Sequence, residues 1–451
     1  MSEEKEELIA DIKSLEEGRK WIQIATVLKN MNEMDAAEVL SELKAESIVI
    51  VFRALPKDFA ADLFANLEPH EQGIILSGAT EKEVGSLLEE LMVDDAVDAL
   101  EELPANFVSK LLLSVSPETR ATINKFLQYP ENSVGSIMTA EFVSLKKKMT
   151  IASAIEHIRK DANESEQIYT CYVMDATRHL EGTVSLKELI LAKDSDLVED
   201  IMEREVISAT TSEDQEVAAH LFSKYDLLSL PVVDAENRLV GIVTVDDIID
   251  VIEEEATEDV EVMSAVTPSD KTYLEASVFH LAKNRIVWLL LLMFSSIFSS
   301  VVLTANSAVF SAIPLLVAFI PMLTDAGGNA GSQSSATIIR SFAMHEISNK
   351  DFFKVLIKEI LIGIIAGTVL ALFNFGRMMI QYNGDLRLSL SVSLALIFTV
   401  MIAKALGCIL PFFARIVKLD PALMAAPLIS TIMDSLSLVV YMAICKAIFR
   451  L

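Results

Sequence analysis

An aspartate in the middle of an apolar stretch is the residue of this 451-residue sequence whose type and place point most directly to chemistry. Asp434 lies near the centre of residues 421–448, among Ala422, Ala425, Ala426, Ser430, Thr431, Ser435 and Ser437. A carboxylate is costly in hydrocarbon and by default marks an ion path. Small neighbours let helices approach closely or leave room for water. The chemistry suggested is cation binding, with a structural pair to Lys404 as the alternative. Asp325 is a third deep ionisable residue. It opens the run Asp325-Ala-Gly327-Gly328-Asn329-Ala-Gly331-Ser-Gln333. Three glycines and several hydrogen-bonding side chains would be stranded against lipid there. Such a segment is tolerated where it is buried in protein or lines an aqueous cavity, and pore lining is favoured over helix packing.

A second concentration of chemistry lies at residues 246–259. Asp246, Asp247, Asp250, Glu253, Glu254, Glu255, Glu258 and Asp259 supply eight carboxylates with no base among them. Ile248, Ile249, Val251 and Ile252 make one apolar face, so the segment reads as an amphipathic helix leading into the apolar region. Charge runs commonly end as solvated linkers. Carboxylate oxygens also suit Mg²⁺ or Ca²⁺ better than a soft metal, and a gate would sit between a regulator and a pore.

The elements that must position these residues follow from how charge and oil are distributed. Mean hydropathy is +0.42, yet 23% of residues are charged. Residues 1–280 hold 58 of the 65 acidic and 24 of the 37 basic side chains, a net charge of −34. Residues 281–451 hold 7 acidic and 13 basic ones, a net charge of +6. Nucleic acid is excluded as a partner, because phosphate contacts need Lys and Arg. The acidic part repels itself unless cations screen or bridge it. A span needs ~20 residues, which gives five spans, at about residues 286–304, 307–339, 352–376, 388–413 and 421–448. Lys and Arg flank the N-terminal side and the 2–3 and 4–5 connections, which places those in the cytoplasm and the C-terminus outside. The acidic N-terminus has no apolar signal segment, in keeping with cytoplasmic N-terminal domains. The three cysteines and six histidines are too scattered for a disulfide framework or a zinc site. No nucleophile–base pair or phosphate-cradling Walker loop suggests an enzyme.

Two repeats organise the acidic part. Leu55-Pro56-x-x-Phe59 recurs 48 residues later as Leu103-Pro104-x-x-Phe107, with Pro69 matched by Pro117. Short helices between these prolines predict an all-α helical superhelix over residues 1–128. Ile137-Met138 recurs as Ile201-Met202, and Asp175, Leu180, Gly182 and Val184 recur as Asp234, Leu239, Gly241 and Val243. This β-α-β repeat resembles a tandem pair of CBS domains, at residues 133–198 and 199–256. Gly241-Ile-Val-Thr244-x-x-Asp247 is similar to that family's ribose-contacting stretch. The resemblance makes ATP a candidate regulator, with Thr244 and Asp247 at its site. Glu188 stands at the matching place in the first copy, so the pair would hold at most one nucleotide.

Taken in order, the Leu-Pro repeat, the CBS pair with its acidic extension (residues 246–270) and the spans of residues 276–451 resemble bacterial MgtE-type magnesium channels. Gly-Gly-Asn-x-Gly-x-Gln and Asp420-Pro421-Ala-Leu-x(3)-Pro427-Leu-Ile-x-Thr431-x-x-Asp434 carry that resemblance in the membrane part. It implies a multi-pass homodimer in the lipid of the cytoplasmic (inner) membrane, with a central pore for Mg²⁺, or for Co²⁺, Mn²⁺ or Ca²⁺. It makes the helix after the CBS pair a plug. By the same resemblance Asp434 and Asn329 belong to the pore. Asp62, Asp94 and Asp98 of the helical domain share Mg²⁺ with Asp226, Asp247, Asp250, Glu255, Glu258 and Asp259 of the CBS pair and plug. Asp420 matches an acidic residue at the inner end of span 5. Ser437 stands where the family usually has glycine, and Asp325 is an extra carboxylate. A coupled divalent cation exporter and a non-conducting CBS-regulated membrane sensor remain as alternatives.

Overall fold

The computed structural model describes residues 3–450 except Glu102, Asn163, Glu164, residues 270–272, Glu275 and His345. The chain divides into two compact units, Met1–Glu253 and Glu254–Leu451.

The first unit opens with ten short helices among the described residues, from α1 (Glu3–Glu17) to α10 (Pro117–Phe126). From the second to the eighth, each helix packs on the one two places further on. That is the stacking of a superhelix. The Leu-Pro repeat sets its punctuation. Pro56 and Pro104 immediately precede α5 (Lys57–Ala65) and α9 (Ala105–Leu111), while Pro69 and Pro117 begin α6 (Pro69–Gly78) and α10. Proline suits the first turn because its missing N–H would have no helical partner there. One 48-residue period is therefore four helices.

Two three-stranded sheets follow, with the same topology. The strands β1 (Phe142–Leu145), β2 (Gln167–Met174) and β3 (Leu180–Ser185) form the first; β4 (Ala209–Thr210), β5 (Ser229–Val233) and β6 (Leu239–Thr244) form the second. In each, the first strand runs parallel to the second and the second antiparallel to the third. The repeats also exchange their leading segments. Thr139 pairs with Ile242 of the second sheet, and Glu203 pairs with Thr183 of the first. The repeated methionines and glycines explain each other through this exchange. A Cβ on Gly241 would lie 2.7 Å from Met138 Sδ, and one on Gly182 would lie 3.0 Å from Met202 Sδ. Only glycine leaves room for the exchanged methionine.

The helix α15 (Val245–Met263) leaves the second sheet, and the boundary between the units falls within it. Ile248 and Val251 are buried, but Ile249 and Ile252 are exposed. The apolar face is thus narrower than the four expected residues.

The second unit contains five long helices among its described residues: α16 (Val278–Ala305), α18 (Ile320–Ala343), α19 (Phe352–Gln381), α20 (Leu386–Ile416) and α21 (Ala426–Phe449). Four helical stretches, Val278–Ala305, Asn349–Gln381, Leu386–Ile416 and Pro421–Phe449, are long and apolar enough to cross a membrane. The fifth, α18, is ~36 Å long at 1.5 Å per residue, but polar along one side. It starts later than the sequence suggests. A short helix α17 (Ser307–Ala312) and a 3-10 turn (Pro314–Phe319) precede it, so Pro314 and Pro321 begin helical turns and do not interrupt a span. Tyr441 Oη on α21 donates to the carbonyl of Leu316 at 3.0 Å and fixes that turn. The core of the bundle is the packing of α18, α20 and α21 around Leu323, Val400, Ala403, Ile429 and Met433.

Candidate functional site

Carboxylates converge at two places, and a third candidate site is a polar helix face in the membrane unit. The first lies in unit 1, where α8 (Val93–Glu101) carries Asp94 and Asp95 in its first turn, the end whose dipole favours negative charge. Asp94 is 9% exposed, and its side chain accepts from the Asp95 N–H at 3.1 Å. Burial, then the charges of Asp95, Asp247 and Glu166, hold Asp94 well above the usual carboxylate range. Burial followed by Asp247, Glu141, Asp246 and Asp62 pushes Asp95 up to about 6. Glu166 rises to about 7, by burial first and then Asp247 and Asp95. Asp247 is raised by burial, against the opposing effect of its bonds to Thr244. Asp250 is raised by burial, Glu253 and Asp246. Asp62, at the margin, is raised by burial, Glu33 and Asp58. No basic side chain figures among these causes. The cluster is a desolvated concentration of negative charge that a cation would relieve.

The second cluster lies in unit 2. Val262 near the end of α15 packs with Ile339, Ala422 and Ala425, which brings Asp259 to Asp420. Burial, then Asp420, Glu255 and Glu258, push Asp259 up to about 6. Asp420 caps the 3-10 turn Pro421–Met424 by accepting from the Ala422 N–H at 2.8 Å. Among the described residues no three acidic, histidine or cysteine side chains close on a point that would hold a bare ion. A hydrated Mg²⁺ needs no such closure, because it keeps several of its waters.

The third place is the membrane unit. Asp325, Asn329, Gln333 and Thr337 recur every four residues along α18 and are all exposed. The opposite side buries Gly327, Gly328, Gly331, Ser334 and Ser335. The segment is a regular helix with two purposes. Its glycines are helix contacts: a Cβ on Gly327 would lie 2.8 Å from Ser437 Oγ, and one on Gly328 would lie 3.1 Å from Ser430 Oγ. Those contacts set Asp434 at the depth of Asp325 and Asn329. Asp434 is half-buried and, among the described residues, makes no hydrogen bond or ion pair. The Lys404 ammonium donates to Gln333 Oε1 at 3.3 Å, and among the described residues no ion pair joins it to Asp434. Ser437 is fully buried against Gly327, so the departure at that position is absorbed in helix packing.

Asp98 and Asp226 are both exposed, with Asp226 in a left-handed conformation ending α14 (Gln215–Tyr225). Thr244 and Asp247 meet directly: Thr244 Oγ1 donates to Asp247 Oδ2 at 2.5 Å, and the Thr244 N–H at 3.3 Å. Ser185 and Glu188 make the same bonds at 2.8 Å, part of a capping box that starts the following helix in the first repeat.

Sequence reasoning missed four contributors. Asp95 is adjacent to Asp94, and the family resemblance pointed to Asp98 and not to it. Glu141 and Glu166 sit at the entrances of β1 and β2, joined by a Glu166 N–H to Glu141 carbonyl bond of 2.9 Å. Glu359 on α19 is 8% exposed and accepts from Ser334 Oγ. It lies one residue past Lys358, and that charged flank disguised it as interfacial.

The architecture and these sites define a class, and comparison with known proteins gives the same one. A family model described as a divalent cation transporter of the MgtE type matches residues 320–444. The MgtE intracellular N domain matches 31–132, and CBS domains match 134–195 and 198–254. The magnesium transporter MgtE of Thermus thermophilus is 36% identical over 94% of both chains, and that of Bacillus subtilis is 31% identical over 94% of this chain and 96% of its own. The soluble part of a magnesium transporter, solved by crystallography, superposes with a TM-score of 0.53 at 32% identity, covering 56% of this chain and 99% of that one. The cytosolic domain of the Mg²⁺ channel MgtE in complex with ATP gives 0.50 at 38% identity, covering 53% and 97%. The chain belongs to the MgtE family, a family of membrane transporters and not of enzymes.

Proposed function

We propose that the protein is a Mg²⁺ channel that admits Mg²⁺ passively and closes when cytosolic Mg²⁺ is abundant. The observation that carries this reading is the exposed polar face of α18, with Asp434 unpaired among the described residues at the depth of Asn329. A polar stripe on a bundle otherwise clad in apolar side chains is stable in a membrane only against water or protein. A homodimer brings two such faces, and two Asp434 carboxylates, to one axis. Two negative charges hold hydrated Mg²⁺ through its waters, weakly enough to release it, as conduction requires. A divalent cation gains ~4.6 kcal/mol per 100 mV of inside-negative potential, so influx needs no other energy source.

Feedback rests on the two acidic clusters. Asp62, Asp94, Asp98, Asp226, Asp247 and Asp250 would bind the ion in the cytosolic unit, with Asp95 and Glu166 added. Glu255, Glu258, Asp259 and Asp420 would bind it at the membrane end of α15. Bound Mg²⁺ favours the arrangement in which these carboxylates are close, and without it they repel. This is the differential binding a switch needs. ATP is a candidate regulator through the CBS pair, by likeness to the relative solved with ATP. In this reading the N-terminal domains lie in the cytoplasm and the C-terminus outside, across the cytoplasmic membrane, with Co²⁺, Mn²⁺ or Ca²⁺ as competing ions; the Lys and Arg of the connections support that orientation.

The test is ion flux into liposomes holding the full chain, with internal Mg²⁺ varied. Expected are saturable Mg²⁺ influx, suppression by internal Mg²⁺, and loss of flux in Asp434→Ala without loss of the dimer. Normal flux in that variant would sink the pore assignment. Dependence on a Na⁺ or H⁺ gradient would indicate a coupled exporter, and absence of flux a sensor.

A further inference from the structure

The intramembrane bundle contains a second pair of ionisable groups that the proposed pore does not use. Lys404 on α20 and Glu359 on α19 are 7% and 8% exposed. Their hydrogen bonds run to consecutive residues of α18. Lys404 Nζ donates to Gln333 Oε1, and Ser334 Oγ donates to Glu359. They make no ion pair with each other within 4.0 Å. The helices carrying them touch at this level, because a Cβ on Gly363, one turn beyond Glu359, would lie 3.3 Å from Lys404 Cβ.

The direction of these bonds matters. Ser334 is on the buried face of α18, and Gln333 is on the exposed polar face. The carboxylate is therefore held on the packed side of the helix, and the ammonium is held toward the polar stripe. Glu359 offsets the cost of burying Lys404, and the pair forms a dipole whose positive end backs the stripe. Gln333 lies one turn after Asn329, ~6 Å along the axis. An ion leaving the level of Asn329 and Asp434 toward the cytoplasmic end of α18 meets that positive end next.

We propose that Lys404 is a specificity- and release-determining residue of the permeation path. Its charge, transmitted past Gln333, shallows the binding well made by Asp434 and hastens inward release of a divalent cation. The principle is ordinary electrostatics. A fixed charge acts on a divalent ion twice as strongly as on a monovalent one, and low-dielectric walls preserve the interaction. The proposal rests on the pore reading, and the experiment separates the two.

Full-length wild type, Lys404→Gln, Lys404→Arg, Glu359→Gln and Asp434→Ala are reconstituted in liposomes, and initial Mg²⁺ influx is measured against external Mg²⁺. Lys404→Gln lowers the half-saturating Mg²⁺ concentration by roughly five-fold or more. Lys404→Arg stays within about two-fold of wild type, since it keeps the charge. Glu359→Gln removes the opposing charge and moves half-saturation the other way. Half-saturation unchanged in Lys404→Gln, or shifted alike in Lys404→Gln and Lys404→Arg, overturns the proposal. Should Lys404→Gln fail to fold, Glu359→Gln decides alone: an unchanged or lowered half-saturation overturns it. Asp434→Ala flux equal to wild type brings down the pore reading itself. Lost flux there, with an unshifted Lys404→Gln, brings down only the role of Lys404.

Discussion

Asp94, Asp95 and Glu166 bind protons more tightly in the folded chain than an unfolded chain would, because burial and each other's charge disfavour ionisation. Stability therefore falls as pH rises from the ordinary carboxylate range, about 4, through the folded values of about 6 and 7. A bound cation reverses that loss and expels the protons it replaces. Mg²⁺ titration at pH 6 should release more protons than at pH 8, measured by calorimetry in two buffers of different ionisation enthalpy. Equal release at both would argue against these residues as the site. The sequence singled out Asp434 by type, as a carboxylate in an apolar run, whereas Asp420 and Asp259 came with the family resemblance. It concealed Glu166, since one more carboxylate in an acidic region is unremarkable until a fold buries it.

At the scale of the element, α15 joins the two clusters. On the proposed gating, neutralising Asp247, Asp250 and Glu255 together should preserve conduction at an internal Mg²⁺ concentration expected to silence the wild type. Unchanged inhibition in patch recordings would remove α15 from the sensor. Helix contacts in the membrane unit allow a sharper contrast. A Cβ on Gly407 would collide with the Gly331 carbonyl oxygen, which is backbone and cannot step aside, whereas one on Gly376 meets nothing within 4 Å. Gly407→Ala should destabilise by ~3 kcal/mol or more. Gly376→Ala should be neutral or stabilising by up to ~1 kcal/mol. Thermal unfolding in detergent checks both. Helix positions were largely legible from runs of apolar residues. The run at 325–333 was half legible: its polarity pointed to water, but the regular helix that turns glycines inward and amides outward has a period that the glycines obscured. The broader apolar face expected of α15 failed because Ile249 and Ile252 point away from the packed side.

For the molecule as a whole, the separation of −34 from +6 along the chain is the property on which a bridging cation would act. Simple screening would treat all salts of one ionic strength alike. Bridging would not. Mg²⁺ should raise the unfolding temperature of the acidic unit by several degrees more than NaCl of equal ionic strength, and Asp94→Asn with Asp95→Asn should abolish the difference. An identical response to both salts would leave screening as the sole effect. Domain order was legible because repeats announce themselves, but their interlocking was not. Nothing in Ile137-Met138 says that it lies on the other repeat's sheet.

That interlocking has a consequence for taking the chain apart. Each sheet is bridged by a segment of the other repeat. The second repeat cut out alone would leave the Ile242 N–H and carbonyl without the Thr139 partners they have in the full chain, and an unpaired strand edge invites another molecule. Severing the two copies would expose a pairing edge and not free two finished domains.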